Sequence, residues 1–494
     1  MESNFNKKVL NATKWSVITE VIAKIVSPIV QMILARIIDK EALGIVAIVT
    51  MVTSFSEIFV DAGFQKYIIQ HDFKSEEEYS NYSNVAFWSN MIIATIIYLI
   101  IFGARHSVAK WIGLGDNPIV LVVACIQILM VPLTSVQMAR FRRNFKFDSL
   151  FIIRFIGSLI PLMVTVPLGF LGYRYWAMII GLLCSACYNA IALTIKSDWK
   201  PRFYFDVEIL KSMFSYSMWT LLDQIVIWMT SWFDSFIIGV YLSPYQLGIY
   251  KTPVNMVTAL LGVFTSALVP VLFSTLSRLQ SDRKKVADVF FRFQRMLSYI
   301  ILPLGVGGFI YRSTVTQIFL GKGWGESELI LGITILAIAI RTVCVSLYSE
   351  VWRSIGKPRI SMKLQIADLV ILLVGSSISL KYGMMIFVLV RSLLRFDLII
   401  PEVIVMKKEL GVRIKDSIRN FSRPVICTSI MGGGAIVLRS IFTGIYLNVF
   451  GIIICILLYF IVFKTIGGKD FELIWSVLNQ SIKKKVNKRA DFRD

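Results

Sequence analysis

The sequence predicts an all-α protein that crosses a membrane about fourteen times, as two six-helix lobes followed by two further helices. Its composition favours this class. The chain of 494 residues is 56% hydrophobic and only 17% charged, and its mean hydropathy is +0.70. Soluble domains contain about 25% charged residues. A water-soluble fold could not bury so much apolar surface, so the composition excludes soluble enzymes and soluble nucleic-acid-binding proteins.

Fourteen apolar runs are candidates for spanning helices, because a helix needs about 20 mostly apolar residues to cross a bilayer. The thirteenth run is the weakest, since it is short and rich in glycine. The runs lie at residues 13–38, 43–65, 82–103, 119–139, 150–170, 175–195, 212–241, 246–274, 293–311, 327–350, 362–380, 383–403, 424–439 and 444–463.

The connecting segments alternate between many and few basic residues. With the N-terminus placed in the cytoplasm, the inside segments hold 37 lysine and arginine residues and the outside segments hold 9. Cytoplasmic loops of membrane proteins carry such an excess. The net charge of +21 therefore reflects the basic cytoplasmic segments. It does not indicate a nucleic-acid partner. We expect both termini in the cytoplasm.

An internal repeat relates two parts of the chain at an offset of 204 residues. Trp15 aligns with Trp219, and the Leu-Gly-Ile tripeptide at 43–45 aligns without a gap with the one at 247–249. Both copies begin on the same side of the membrane, after an even number of spans. This predicts parallel repeats related by an axis along the membrane normal.

The repeat sets the expected domain organisation. We expect an N-lobe of helices 1–6 at residues 1–200 and a C-lobe of helices 7–12 at residues 201–405. Helices 13 and 14 and a basic cytoplasmic tail follow at residues 406–494. Two six-helix lobes around a central cavity are typical of a transporter.

Three segments resemble those of a known family. The run LARIIDKEALGI at residues 34–45 is similar to the helix 1–2 junction of polysaccharide-transporter flippases. Helix 2 then ends in FVDAGF at 59–64, and GKPR at 356–359 is similar to the turn after helix 10 of that family. In order and spacing, these segments resemble the Wzx-type branch of the multidrug/oligosaccharidyl-lipid/polysaccharide (MOP) superfamily over most of residues 10–405.

The resemblance implies a function that composition alone does not. It implies a flippase for undecaprenyl-pyrophosphate-linked oligosaccharides in a bacterial inner membrane, serving O-antigen, capsule or exopolysaccharide assembly. The lipid-linked oligosaccharide and membrane lipids are the implied partners, with a polysaccharide polymerase and a chain-length regulator as further candidates. No cofactor is predicted.

Basic residues inside the predicted spans are the candidate substrate contacts. A charge at the bilayer centre costs about 2.5–3.5 kcal/mol, so it usually faces a cavity or a partner. A pyrophosphate headgroup needs cationic partners once it leaves water. Helices 1 and 8 line the cavity in the superfamily, which the resemblance extends to Lys24 and Lys251. The full set is Lys24, Lys251, Arg341, Arg391 and Arg395.

Several of these cations also have a purely structural interpretation. Lys24 lies four residues after Glu20, where the two would form an ion pair on one helix. Arg391 and Arg395 share a face of helix 12, and Asp368 on helix 11 or Asp397 could neutralise them. The sequence leaves both interpretations open.

Carboxylates inside the spans are candidates for coupling transport to an ion gradient. Acids that titrate in a partly buried cavity carry protons or Na⁺ in many transporters. We assign this role to Asp61, Asp223 and Asp234, although Asp61 could simply end helix 2. The sequence shows neither which ion is coupled nor whether any ion is.

Two other functions fit a basic polytopic protein. A membrane polysaccharide polymerase would need a sizeable outside loop, whereas the longest outside segments are 104–118 and 312–326 and no Asp-x-Asp pair occurs. A drug or cation antiporter of the same superfamily would favour an acidic cavity, whereas the basic residues listed above lie in mid-helix. Six cysteines in apolar runs and two isolated histidines predict neither a disulfide framework nor a metal site.

Overall fold

The computed structural model describes residues 26, 28–115, 117–144, 146–468 and 470–472. Every regular element in these ranges is a helix, which confirms the all-α class. The beginning of the first predicted helix and the tail beyond residue 472 lie outside the described residues. The main helices are α1 Pro28–Ile37, α2 Lys40–Asp61, α3 Glu76–Gly103, α4 Pro118–Arg143, α5 Phe147–Phe170, α6 Arg174–Lys196, α7 Val207–Tyr241, α8 Pro244–Arg278, α9 Arg283–Ile310, α10 Glu328–Cys344, α11 Pro358–Leu380, α12 Met384–Leu393, α13 Ile414–Ile441 and α14 Ile445–Gly467. Short helices lie at Phe64–Gln70, Arg105–Trp111, Arg312–Phe319, Tyr348–Ser354 and Ile399–Leu410.

The protein is a multi-pass membrane protein, but the count of fourteen spans is not confirmed. Twelve helices in the described part of the chain are long and apolar enough to cross a membrane. The other two predicted spans are the first one and the run 383–403. Of the first span, the structure describes the helix α1 from Pro28 onward. That run divides into α12, a 3₁₀ turn at Leu394–Phe396 and the helix Ile399–Leu410.

Polar residues before the helices explain where several of them begin. The side chain of Asp39 accepts a hydrogen bond from the Ala42 amide at 2.9 Å, so it caps α2. Ser243 caps α8 in the same way, because its hydroxyl accepts from the Gln246 amide at 3.2 Å. Such caps satisfy amide groups that have no partner in the first turn of a helix. The two caps lie at the repeat offset of 204 residues.

The repeat is also visible as a reciprocal contact between the beginnings of α2 and α8. A β-carbon on Gly44 would lie 1.7 Å from the carbonyl oxygen of Pro244, and one on Gly248 would lie 1.9 Å from that of Lys40. Lys40 and Pro244 are themselves equivalent at the offset of 204. Residues that contact one another reciprocally are the signature of a two-fold relation. Only glycine permits this approach of the two backbones.

The first of two compact units comprises the described residues up to 267 and residues 369–387. Within it α5 packs along α6, α3 contacts α4, and α2 contacts α7. A core beside the end of α2 joins side chains of α3, α4, α7 and the short helix after α2. Its buried members are Ala62, Phe64, Tyr67, Ile68, Tyr79, Val85, Ala86, Phe87, Val136, Ala139, Trp199 and Met213.

The second unit comprises residues 268–368 and the described residues from 388 onward. Within it α9 packs on α10 and α13, and α13 packs on α14. The two C-terminal helices share a core with α9. Its buried members are Tyr299, Ile310, Tyr311, Cys427, Met431, Ala435, Cys455, Tyr459, Val462 and Phe463. The lobe boundaries after residues 200 and 405 stay a prediction.

Candidate functional site

Lys251, a predicted substrate contact, lies in a buried cluster with Asp234, a predicted coupling residue. The two side chains are almost fully buried, and Lys251 Nζ lies 3.6 Å from Asp234 Oδ1. The ammonium donates a hydrogen bond of 3.1 Å to the Ser231 carbonyl oxygen and lies 4.4 Å from the ring centre of Trp232. The Tyr250 hydroxyl donates to Asp234 Oδ2 at 2.8 Å. Buried charges are tolerated when they are paired and hydrogen-bonded in this way.

Lys251 has no acid within a helical turn of its own helix. Its partner comes from the preceding helix. A short turn at Leu242 and Ser243 joins α7 to α8. Residues equally far from such a turn face each other in a pair of antiparallel helices. Asp234 and Lys251 are equally far from it. This spacing was the signal that could have found the pair.

Arg341 on α10 is the centre of a second charge cluster. Its Nη2 and Nη1 donate to the two carboxylate oxygens of Asp368 on α11, at 2.8 and 3.3 Å. Nη1 also lies 3.8 Å from Asp397 Oδ1 and donates to the Arg395 carbonyl oxygen at 3.2 Å. Asp368 and Asp397, the predicted partners of Arg391 and Arg395, therefore both bind Arg341. Bidentate pairs of this kind are strong and fix geometry.

The other predicted substrate contacts lie in different places. Arg395 joins the Arg341 cluster through its backbone. Arg391 is buried, with 6% of its surface exposed. Lys24 and its alternative partner Glu20 lie outside the described residues. The structure thus brings two of the five candidates together.

The three coupling candidates have three different environments. Asp234 is paired with Lys251, and Asp223 is exposed on α7. Asp61 is the last residue of α2, where its carboxylate accepts a hydrogen bond from the Ser135 hydroxyl. Within the described residues, Asp61 forms no salt bridge. It lines a cavity.

This cavity lies within the first unit and has a volume of about 790 Å³. Its wall is formed mainly by α2, α4, α5 and α6. The polar lining residues are Glu57, Asp61, Gln65, Gln127, Thr134, Ser135, Arg154, Ser158, Ser185 and Asn189. We call it the polar cavity.

Most of the polar cavity was not predicted from the sequence. Of its polar lining residues only Asp61 was a predicted site residue, whereas Glu57, Gln127, Arg154 and Asn189 were not. The signal for Glu57 was its spacing of four residues from Asp61, which places both carboxylates on one face of α2. Gln127 Nε2 donates to Glu57 Oε1 at 3.2 Å across 70 residues of sequence.

Ionic contacts hold the turn before α2. Arg174, at the start of α6, donates to both carboxylate oxygens of Asp39 at 2.8 and 3.0 Å and to Glu41 at 3.1 Å. The hydrogen bonds from this guanidinium hold the pKa of Asp39 below its usual range. Lys40 Nζ donates to the Tyr245 hydroxyl at 3.2 Å, beside the crossing of Gly44 and Gly248. We call this group of contacts the repeat seam.

Comparison with known proteins identifies relatives along most of the chain. The family model described as "Polysaccharide biosynthesis protein" matches residues 33–329. An "uncharacterized membrane protein in cps region" of Klebsiella pneumoniae is 21% identical over 429 residues, which are 85% of this chain and 87% of that protein. The "succinoglycan biosynthesis transport protein ExoT" of Rhizobium meliloti is 23% identical over 68% of each chain. The "lipopolysaccharide biosynthesis protein WzxC" of Escherichia coli is 17% identical over 69% of each.

Two solved structures have the same fold. The lipid II flippase MurJ in an inward closed conformation has a TM-score of 0.76 at 17% identity, over 92% of this chain and 98% of that chain. An inward-facing multidrug resistance MATE family transporter of the MOP superfamily has a TM-score of 0.63 at 14% identity, over 80% and 96%. The sequence relatives confirm the predicted resemblance to Wzx-type polysaccharide transport proteins, and the two solved structures confirm the fold. The chain belongs to the polysaccharide biosynthesis protein family.

Proposed function

We propose that this protein is a flippase for oligosaccharides linked to undecaprenyl pyrophosphate. It acts in the bacterial inner membrane, with both termini in the cytoplasm, and serves the assembly of O-antigen, capsule or exopolysaccharide. The family match over residues 33–329 carries the proposal. The excess of basic residues in the predicted inside segments supports the orientation. The protein is a transporter and not an enzyme, and a polysaccharide polymerase and a chain-length regulator are its partners.

The charged headgroup binds the cations of the two helical repeats in this proposal. We assign contacts with it to Lys24, Lys251, Arg341, Arg391 and Arg395. In the described residues, Lys251 and Arg341 are already compensated by carboxylates. Phosphate and carboxylate are both good partners of such cations. The headgroup therefore displaces a carboxylate instead of entering an uncompensated cationic site.

This exchange offers a link between substrate binding and ion coupling. When the headgroup takes over Lys251, Asp234 loses its cationic partner, and a buried carboxylate needs a new one. Asp234 is then able to take up a proton or Na⁺ as substrate enters and to release it as substrate leaves. Asp61 and Asp223 remain the other proposed coupling groups.

Alternating access requires the repeats to separate on one side of the membrane at a time. The repeat seam lies at the beginning of α2, on the side predicted to face outward. Its glycine crossing holds two backbones in contact. We assign it to the closed outward side, which opens when the substrate is released.

Asp61→Asn tests the coupling role of the polar cavity. The asparagine oxygen still accepts a hydrogen bond from Ser135, but the side chain no longer titrates. In proteoliposomes, we expect flipping to lose its acceleration by an imposed proton or Na⁺ gradient, while flipping without a gradient persists. Asp288→Asn, at an exposed carboxylate of α9, is the control and should keep the acceleration. An Asp61→Asn protein that responds normally to both gradients would remove Asp61 from coupling.

A strain that lacks the gene tests the function in cells. A membrane-impermeant glycan probe reports lipid-linked oligosaccharide on each leaflet of the inner membrane. We expect complete repeat units to accumulate on the cytoplasmic leaflet, because their synthesis continues without export. Repeat units that reach the outer leaflet but do not lengthen would indicate a polymerase instead. Normal distribution on both leaflets would favour the drug or cation antiporter.

A further inference from the structure

The polar cavity has the size of a ligand site, and those headgroup cations that the structure describes do not line it. Its volume of about 790 Å³ lies within the range of roughly 300–1,000 Å³ that is usual for small-molecule sites. It belongs to the first unit alone, where α2, α4, α5 and α6 surround it. The proposed contacts Lys251 and Arg341 do not line it.

The lining is rich in groups that both donate and accept hydrogen bonds. Amides come from Gln65, Gln127 and Asn189, and hydroxyls come from serine and threonine on α4, α5 and α6. A sugar presents hydroxyl groups that also donate and accept, so such side chains match it on both counts. The stacked rings of Phe151 and Phe155, with centres 5.8 Å apart, add an apolar wall for the C–H faces of a sugar ring.

The polar side chains are held in place by the protein itself. Glu57 is held by Gln127 at 3.2 Å. Asn189 Nδ2 donates to the Ser185 carbonyl oxygen at 2.8 Å, and the Ser185 hydroxyl donates to the Gly157 carbonyl oxygen at 2.8 Å. A β-carbon on Gly157 would lie 2.7 Å from Asn189 Oδ1, so the absence of a side chain at Gly157 leaves room for this amide. Side chains that are fixed before binding lose little entropy when a ligand arrives.

The charges of the polar cavity favour a glycan over a pyrophosphate. Among the residues that the structure describes, its charged lining consists of two carboxylates, Glu57 and Asp61, and one cation, Arg154. Neither carboxylate forms a salt bridge in the part of the chain that the structure describes. A pyrophosphate would meet like charge there, which is an effective means of rejecting a wrong ligand. Uncharged sugar hydroxyls would donate to the same carboxylates.

We propose that the polar cavity binds the oligosaccharide part of the lipid-linked substrate, with the Glu57–Gln127 pair as its specificity-determining contact. This inference rests on the proposed flippase function and adds a second subsite to it. The headgroup binds cations elsewhere, while the glycan enters the cavity of the first unit. Recognition of the sugar is thereby separated from recognition of the carrier.

Binding of a free glycan tests this subsite without any transport. The probe is the repeat-unit oligosaccharide of the source strain, released from its lipid-linked intermediates by mild acid. We measure its affinity for the full-length protein in nanodiscs by isothermal titration calorimetry. Glu57→Gln removes the charge at constant shape, and Gln127→Met removes the amide at similar length. Each should weaken binding about tenfold, the effect of losing one good hydrogen bond to a charged group.

Glu402→Gln is the matched control. Glu402 is also buried and also accepts from one neutral donor, Trp352 Nε1 at 2.8 Å, but it belongs to the second unit and does not line the polar cavity. The affinity of the Glu402→Gln protein for the oligosaccharide should equal that of the unmodified protein. If Glu57→Gln does not fold, Gln127→Met alone decides the question.

Three results would overturn the inference. The first is absence of oligosaccharide binding to the unmodified protein, and the second is unchanged affinity in both cavity variants. The third is a Glu57→Gln protein that binds normally but no longer responds to a proton gradient, which would assign Glu57 to coupling. Flipping is measured separately. Normal flipping with unchanged affinities contradicts only the subsite, whereas weakened binding without any flipping by the unmodified protein contradicts only the proposed function.

Discussion

Neutralising Lys251 and Asp234 together is expected to give a folded protein that no longer flips its substrate. Lys251→Met alone leaves the Asp234 carboxylate buried without its cation, and breaking a buried pair in this way costs about 3–5 kcal/mol. The single variant should therefore give a low yield of folded protein. Lys251→Met with Asp234→Asn removes both charges, so the yield should recover while flipping stays at background. Gel filtration of the purified protein and flipping in proteoliposomes measure the two properties.

A second pair provides the control for this experiment. Lys146 and Asp198 form a salt bridge between two more exposed side chains, at 42% and 72% exposure. Exposed pairs contribute about 0–1 kcal/mol. Lys146→Met with Asp198→Asn should keep both yield and flipping. If the Lys251 and Asp234 double variant flips at the normal rate, the pair has only a structural role and Lys251 does not contact the substrate.

Adding a single methyl group at the repeat seam should have the second largest effect. In Gly44→Ala the new β-carbon would lie 1.7 Å from the Pro244 carbonyl oxygen, so the two backbones must move apart. Overpacking of this kind costs about 1–3 kcal/mol, which would shift the equilibrium between the closed and the open seam about 5- to 150-fold toward the open seam. We expect flipping to fall by up to the same factor. Gly248→Ala should behave alike, because the contact is reciprocal.

Helix propensity cannot explain such a loss, since alanine favours a helix over glycine by about 1 kcal/mol. Gly433→Ala on α13 is the control, because a β-carbon there would meet nothing within 4 Å. Disulfide cross-linking of Lys40→Cys to Tyr245→Cys reports on the seam directly and should decrease in both seam variants. Normal cross-linking and normal flipping in Gly44→Ala would show that the seam is not part of transport.

The features that the sequence predicted depend on local patterns. Apolar runs of about 20 residues locate spanning helices because the bilayer fixes their length. The Leu-Gly-Ile repeat indicated equivalent positions, and the structure places Gly44 and Gly248 in reciprocal contact. The division of the run 383–403 was harder to predict, because the composition of this run fits one helix. The run divides where Arg341 donates a hydrogen bond to the Arg395 carbonyl oxygen. The division also lies shortly before Pro401, which has no amide hydrogen to continue a helix.

The contacts of the candidate site were not predictable in the same way. Glu57 meets Gln127 across 70 residues, and Arg341 meets Asp368 across 27 residues. Such partners depend on how whole helices pack, which no local pattern contains. The charges themselves were predictable as unusual in a membrane. Their mutual compensation was not, with the exception of Asp234 and Lys251, which the short turn between α7 and α8 places opposite each other.

The most direct test of the account is flipping by the purified protein in proteoliposomes. The vesicles contain the lipid-linked oligosaccharide extracted from the source strain, and a membrane-impermeant glycosidase added outside digests the glycans it can reach. Vesicles without protein should protect about half of the substrate, since the bilayer blocks the charged headgroup. With the protein, we expect nearly all of the substrate to become accessible, and the Lys251 and Asp234 double variant should restore the protection. Protection that is unchanged by the folded, unmodified protein would contradict the proposed flippase.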